Sequence, residues 1–378
     1  MSAALNRWPQ KRLGDICEFK YGKSLPEPAR SGGAVPVYGS NGVVGGHDVP
    51  LTASETIVIG RKGSHGEVNY SDTPCWPIDT TYFVDSTATA QHLGWLKYRL
   101  AGAGLNQMNR AAAVPGLNRE DAYRVEILLP PLEVQRRIAV ILDQAETVRC
   151  QRRAALVQLD SLAQSIFLDM FGDPVTNDRG WPESLTLGEV AGIASGVTKG
   201  RSLEGKVTRE LPYLAVANVQ DKALRLESIK YIEATEGEIR RYRLEKNDLL
   251  LTEGGDPDKL GRGTLWQNEL PECIHQNHIF RVRLTSDVLT PLFLNWLVGS
   301  PRGKKYFLRS AKQTTGIASI NMTQLRGFPL LVPPLPLQQT FATRIQAIES
   351  LKATHRIALT ELDALFASLQ QRAFAGEL

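Results

Sequence analysis

Four stretches of this chain carry residue types able to do chemistry, and each fails on spacing. Gly22-Lys23-Ser24 has the end of a phosphate-binding loop, but Cys17 stands where that loop needs its first glycine. Asp256-Pro257-Asp258-Lys259 has the make-up of a nuclease carboxylate–lysine cluster. It sits in a glycine-rich run with no second acidic strand nearby, and Lys259 is better placed to meet a phosphate. His275 and His278 lack an intervening glutamate and fall one short of the spacing that puts two imidazoles on one helix face. Pro130-Pro131 and Pro333-Pro334 follow Leu129 and Val332, where an amino-methyltransferase would carry Asn or Asp to hold its target amine. No glycine fingerprint for a nucleotide or methyl donor occurs. The expectation is a binding protein with no catalytic residues, no metal site and no cofactor of its own.

The residues that suit binding suit nucleic acid. Phosphates are met by glycine turns that bare backbone N–H groups, with Arg or Lys beside them. Gly60-Arg61-Lys62-Gly63-Ser64-His65-Gly66 and Gly196-Val197-Thr198-Lys199-Gly200-Arg201-Ser202 both offer this, and Lys20 and Lys23 add charge. Base edges are read by forked side chains, Arg for guanine and Asn or Gln for adenine. Ser40, Asn41, Asn106, Gln107 and Arg110 are the candidates beside Arg61, Lys62, Ser64 and His65. In the second half they are Asn218, Lys259, Arg262, Gln276, Asn277 and His278, beside Thr198, Lys199 and Arg201. The same residues also suit tight solvated turns that satisfy their own backbone.

Composition neither demands nor forbids this. The 378 residues carry 44 basic and 40 acidic side chains, a net charge of +4. Cys17, Cys75, Cys150 and Cys273 are scattered, with no C-x-x-C pair, which points to reduced thiols rather than a metal or redox site. No apolar run has the length of a signal peptide core or a membrane span. The expected location is cytoplasmic, with the nucleoid, and without membrane contact.

The chain repeats itself at an offset of 203 residues. Pro130-Pro131-Leu132-Glu133-Val134-Gln135 returns as Pro333-Pro334-Leu335-Pro336-Leu337-Gln338, and Leu159-Asp160-Ser161-Leu162 as Leu362-Asp363-Ala364-Leu365. Trp8-Pro9 before Leu13-Gly14-Asp15 matches Trp181-Pro182 before Leu187-Gly188-Glu189. After each Pro-Pro the apolar residues step by four and three, a heptad seam. In the first copy it runs through Ile138, Ile141, Ala145, Val148, Leu159 and Leu162, with Arg152 in the gap. In the second it runs through Phe341, Ile348, Leu351, Leu362 and Leu365, with His355 at the place of Arg152. Each helix is roughly 38 residues, hence about 57 Å long at the α-helical rise, and one apolar seam requires a partner, most simply its own repeat. Antiparallel pairing would bring Arg152 and His355 together as a polar layer that fixes register; otherwise both lie at the seam edge and reach solvent. Arg136, Arg137, Arg149 and Arg153 are expected on exposed faces. The fold expected is α+β: recognition domains over 1–130 and 172–333, and long helices over 131–171 and 334–378 that pair as an antiparallel coiled coil with pseudo-twofold symmetry. Strands are expected at Thr56–Gly60 and Asp248–Thr252, and helices at Ala90–Ala101 and Pro291–Val298.

In the order of these features, twice over, the chain resembles the specificity subunits of type I restriction-modification systems. Phe171-Gly172-Asp173-Pro174 before the second Trp-Pro and the ending Ala373-Phe374-Ala375-Gly376-Glu377-Leu378 belong to that resemblance. It implies that each recognition domain reads one half of a bipartite site in double-stranded DNA and that the helices set the gap. It implies two methyltransferase subunits docked on the helices and separate motor-nuclease subunits, with S-adenosylmethionine, ATP and Mg confined to those partners. Pro336 replaces the acidic residue found at Glu133, so the two helix starts are not equivalent. The alternatives are a standalone nuclease or methyltransferase using residues 253–259, and a coiled-coil adaptor that binds protein alone.

Overall fold

The computed structural model describes residues 8–108, 116–255, 260–314 and 317–378. The chain packs as two compact units, residues 1–155 with 355–378, and residues 156–354. The α+β expectation holds in both.

Unit 1 contains a four-stranded sheet, in the order 20–21, 81–84, 56–60 and 68–71, and a three-stranded sheet, in the order 42–47, 35–39 and 76–77. Thr56–Gly60 is buried at every position, as a β-branched run with neighbours on both sides requires. Unit 2 repeats the plan. Its four-stranded sheet runs 191–195, 279–284, 249–252 and 263–265, and its three-stranded sheet runs 230–234, 209–214 and 274–275. The parallel strand pairing also recurs, Tyr38 with Pro77 in unit 1 and Leu214 with His275 in unit 2. The expected strands are found at Thr56–Gly60 and Leu249–Thr252, and the expected helices at Leu93–Ala101 and Pro291–Val298. The first of these helices starts later than expected because His92 caps it, its ring accepting the Trp95 N–H at 3.3 Å.

The long helices span Leu132–Phe171 and Leu335–Ala375. Each is tied to a recognition domain by one buried glutamine. Gln135 accepts the His92 N–H at 2.9 Å and donates to the Pro130 carbonyl at 2.9 Å and to Gln91 at 2.8 Å. Its repeat partner Gln338 accepts the Thr290 N–H at 2.8 Å and donates to the Pro333 carbonyl at 2.8 Å and the Val288 carbonyl at 3.0 Å. That is why glutamine ends the Pro-Pro motif: one amide closes the helix start and caps the Trp95 or Trp296 helix.

The helices run antiparallel within each unit. In unit 1 Arg149 meets Asp363 at 2.6 Å, and Arg152 lies 3.1 Å from the His355 ring nitrogen. In unit 2 Lys352 meets Asp160 at 2.7 Å, and the Phe341 ring sits edge-on to Phe167 and Phe171. The seam itself differs from expectation by one residue in alternate steps. Ile138, Ala145, Arg152 and Leu159 are buried or half-buried as a seam requires, and so are Phe341, Ile348, His355 and Leu362; Ile141 is half-buried beside the fully buried Leu142. Val148, Leu162, Leu351 and Leu365 are instead 41%, 48%, 48% and 51% exposed. Arg149, Ala163, Lys352 and Phe366 take those places. The reason is electrostatic and steric. Arg149 buries its stem, stacks its guanidinium 4.3 Å from the Phe366 ring centre and pairs with both Asp363 and Glu146. Arg149 is therefore inside the seam, not on an exposed face. Lys352, its repeat equivalent, pairs with Asp160 and with Glu349 at 2.6 Å. Counting apolar residues alone cannot find a seam that admits Arg and Lys.

Arg152 and His355 should behave as one layer. Arg152→Leu and His355→Leu are each expected to destabilise the chain. The double mutant should deviate from their sum by about 0.5–3 kcal/mol in a urea-denaturation cycle. An additive result would mean that the two side chains merely share a surface.

Candidate nucleic-acid interface

In unit 1 the strand Thr56–Gly60 delivers the glycine-turned loop. Gly60 admits no side chain, since a Cβ there would lie 2.0 Å from the Ser64 carbonyl oxygen and 3.0 Å from that of Ser40. Gly66, with φ of +76°, would place a Cβ 2.2 Å from the Asn106 nitrogen. The two glycines pull the loop against both the Ser40-Asn41 hairpin tip and the Leu105–Gln107 turn. The Thr80 carbonyl gathers the rest. It accepts the N–H groups of Arg61 and Lys62 at 2.9 and 3.1 Å and the Ser40 hydroxyl at 2.7 Å. Ser40, Asn41, Arg61, Lys62, Ser64, His65, Asn106 and Gln107 thus converge from three separate segments. Asn41, Lys62, Ser64, Asn106 and Gln107 are exposed. His65 is half-buried, with Nδ1 3.3 Å from the Gly63 carbonyl. Lys23 is exposed. Lys20 is engaged by Asp85 at 2.9 Å and by Thr87, so its charge is neutralised inside the unit. Arg110 lies outside the described residues.

Arg61 is anchored rather than free. Its Nη2 and Nε donate to the Asp79 carbonyl at 2.6 and 3.2 Å, and its guanidinium lies 5.4 Å from the centre of the Tyr21 ring. Arg119 lies 5.3 Å from the same ring. Tyr21 is 54% exposed, which makes an open aromatic face flanked by two guanidiniums. Sequence reading missed both Tyr21 and Arg119. Tyr21 could be found only as the outward residue of the short Lys20-Tyr21 strand; Arg119 arrives from a distant segment with no local signal.

In unit 2 the corresponding strand ends carry different side chains. The Val197 N–H donates to the His275 carbonyl at 2.8 Å, and the Asn277 N–H returns to the Val197 carbonyl at 3.0 Å. This seats Thr198 and Lys199, both exposed, beside Gln276, Asn277 and His278. Lys199 lies 5.3 Å from the Tyr213 ring centre, and with Lys230 and Tyr231 it lines an open trough of about 740 Å³. His278 Nδ1 is 2.5 Å from a Glu253 carboxylate oxygen.

Three expected contacts have other duties here. Arg201 is a loop strut: it donates to Glu238 at 2.5 and 3.0 Å, to the Thr198 carbonyl at 3.1 Å and to the Glu233 carbonyl at 2.9 Å. Its hydrogen bonds draw the Glu238 carboxyl down to about 2. Asn218 is buried, not a base reader. It accepts the Ala215 N–H at 2.8 Å and donates to the carbonyls of Arg225 and Ser228 at 2.7 and 3.2 Å, folding the hairpin that follows. Arg262 is half-buried, donating to Gln220 at 3.2 Å. Lys259 and the acidic cluster at 256–258 lie outside the described residues. No group of three His, Cys, Asp or Glu able to hold a metal ion occurs among the described residues, and no described helix is long and apolar enough to cross a membrane.

A duplicated sheet pair, each copy ending in its own basic, glycine-turned loops and each bound to long helices, defines a two-module protein built on a repeated frame. The chain belongs to the type I restriction modification DNA specificity domain family, whose model matches residues 6–154 and 180–362. It is 24% identical over 318 residues to the type I restriction enzyme StySPI specificity subunit of Salmonella potsdam, covering 80% of this chain and 66% of that one. It is 23% identical over 289 residues to the EcoKI specificity subunit of Escherichia coli K12, covering 72% and 62%. The chain thus spans just under two thirds of the length of these relatives. The fold is similar to that of the S subunit of the type I restriction-modification system from M. genitalium, with a TM-score of 0.61 at 16% identity over 99% of this chain and 98% of that one.

His275 gives unit 2 a defined acid weakness. It is fully buried, with Nδ1 3.0 Å from the Ile279 carbonyl, and burial together with nearby Arg281 lowers it from 6.5 to about 4. A depressed histidine stabilises the fold above its unfolded pKa, and that contribution is lost as pH falls through the folded value. The unfolding midpoint should therefore drop between pH 6.5 and 4, and His275→Phe should flatten the drop in that window. An unchanged profile would assign the acid loss to other groups.

Proposed function

We propose that this chain is the non-catalytic, DNA-reading component of a type I restriction-modification complex. Unit 1 reads one half of a bipartite duplex site and unit 2 reads the other. The long helices set the gap and receive two methyltransferase subunits, which flip and methylate the target adenine; motor-nuclease subunits act on DNA that lacks the mark. S-adenosylmethionine, ATP and Mg belong to those partners.

The observation that carries this reading is the same strand-end platform appearing twice with different side chains on it. A duplicated frame with unlike loops is what two readers of unlike half-sites require. Phosphate contacts position such loops, and base contacts specify. Lys62, Ser64 and Lys199 suit the first task, and Asn41, Asn106, Gln107, Gln276 and Asn277 suit the second.

Expressed with its methyltransferase partner, the chain should direct adenine methylation to a split motif, two short specified blocks with a fixed unspecified gap. A contiguous motif would leave only one unit reading DNA, and an intact complex that methylates nothing would favour a protein adaptor. Lys62→Ala should lower the slope of log affinity against log salt by about 1, the loss of one phosphate contact.

The docking reading is supported by the residues displaced from the seam. Val148 and Leu365 in unit 1, and Leu162 and Leu351 in unit 2, are exposed apolar side chains at repeat-equivalent positions. Leu162→Lys with Leu351→Lys should change stability by no more than about 0.5 kcal/mol per site, yet reduce co-purification of the methyltransferase. Undiminished co-purification would place docking on another face.

A further inference from the structure

The two units place one residue in the same position with opposite charge. In unit 1 Gly60 pairs with Thr81, and the next residue, Arg61, donates its N–H to the Thr80 carbonyl at 2.9 Å. In unit 2 Thr252 pairs with Ile279, and the next residue, Glu253, donates its N–H to the His278 carbonyl at 3.0 Å. The flanking registers agree. Ile78 N–H meets the Tyr38 carbonyl and Gln276 N–H meets the Leu214 carbonyl, each at 2.9 Å. The loop closes through Gly60 N–H on Glu67 in one unit and through Thr252 N–H on Arg262 in the other. Arg61 and Glu253 are therefore structural equivalents.

Each is held at one edge, and among the described residues no hydrogen bond takes the other. Arg61 uses Nε and Nη2 on the Asp79 carbonyl, which leaves the Nη1–Nη2 end of its fork. Glu253 uses one carboxylate oxygen on His278 and, among the described residues, no side-chain hydrogen bond engages the other. Phosphates and sugars offer a carboxylate repulsion or little gain. The groove donors of duplex DNA are exocyclic amines, cytosine N4 and adenine N6 in the major groove. A guanidinium fork matches guanine O6 and N7 instead.

We propose that this strand-end position is the matched base-reading site of both units, with Arg61 reading a guanine in one half-site and Glu253 reading an exocyclic amino group in the other. This rests on the reading that both units bind DNA.

The experiment sequences methylated motifs from cells that express the full chain with its methyltransferase, as wild type, Arg61→Lys and Glu253→Gln. Lysine keeps the charge and loses the fork, so a phosphate contact would survive Arg61→Lys while a guanine reader would not. Arg61→Lys should relax a guanine requirement at one position of one half-site by roughly five- to a hundredfold. Glu253→Gln should relax one position of the other half-site, and the wild-type base there, cytosine or adenine, identifies the amino group read. The untouched half-site in each variant reports that the complex is folded. If a variant methylates nothing, binding of its complex to duplexes degenerate in that half-site gives the same readout. Unchanged motifs in both variants, or changes that fall in the same half-site, would overturn the proposal. A wild-type complex without a split motif would overturn the DNA-reading role itself.

Discussion

Two buried glutamine side chains fix how this protein can be built. Gln135 and Gln338 each satisfy the carbonyl that opens a long helix and the amide that opens a recognition-domain helix, with every hydrogen bond inside the fold. A buried amide is costly unless all its bonds are made, so the glutamine tolerates only one angle between helix and domain. Packing then follows. In unit 2 Phe167, Phe171, Phe293, Trp296 and Phe341 close around the junction. In unit 1 Ile138, Ala139, Leu142 and Trp95 belong to the corresponding core cluster.

On that frame the start of each strand-end loop is set by backbone bonds. The Thr80 carbonyl in unit 1 and the His278 carbonyl in unit 2 hold the first residue of each strand-end loop. In unit 2 the loop is also pinned at its far end, where Leu260 is buried in the core cluster that holds Leu249 and Leu251. From such fixed starts, two units with the same sheet order carry loops as different as Arg61–Glu67 and Glu253–Arg262.

Much of this was legible in the sequence because it repeats or has a period. The duplication, the two long helices, the buried strand Thr56–Gly60 and the Pro291–Val298 helix all announce themselves through spacing and caps. The convergence of Asn41, Arg61 and Asn106 was legible only as a set of loops, since nothing local says that the Gly60–Gly66 loop meets both of the other segments. Asn218 and Arg201 were misread because an amide or a guanidinium in a loop looks the same whether it faces DNA or props up its own hairpin. The seam was misplaced by one residue because hydrophobicity was counted and ion pairs were not.

Those ion pairs tie the two halves of the gene together. Arg149 comes from the first repeat and Asp363 from the second; Lys352 comes from the second and Asp160 from the first. Each cation also keeps an acidic neighbour from its own repeat, Glu146 beside Arg149 and Glu349 beside Lys352, so each pair is a three-member cluster shared by the two repeats. Glu146, Arg149 and Asp160 accordingly reappear as Glu349, Lys352 and Asp363, whereas the strand-end loops share little beyond their glycines. The contacts that hold the protein together are thus the ones the two repeats share, and the loops at the strand ends are where they differ.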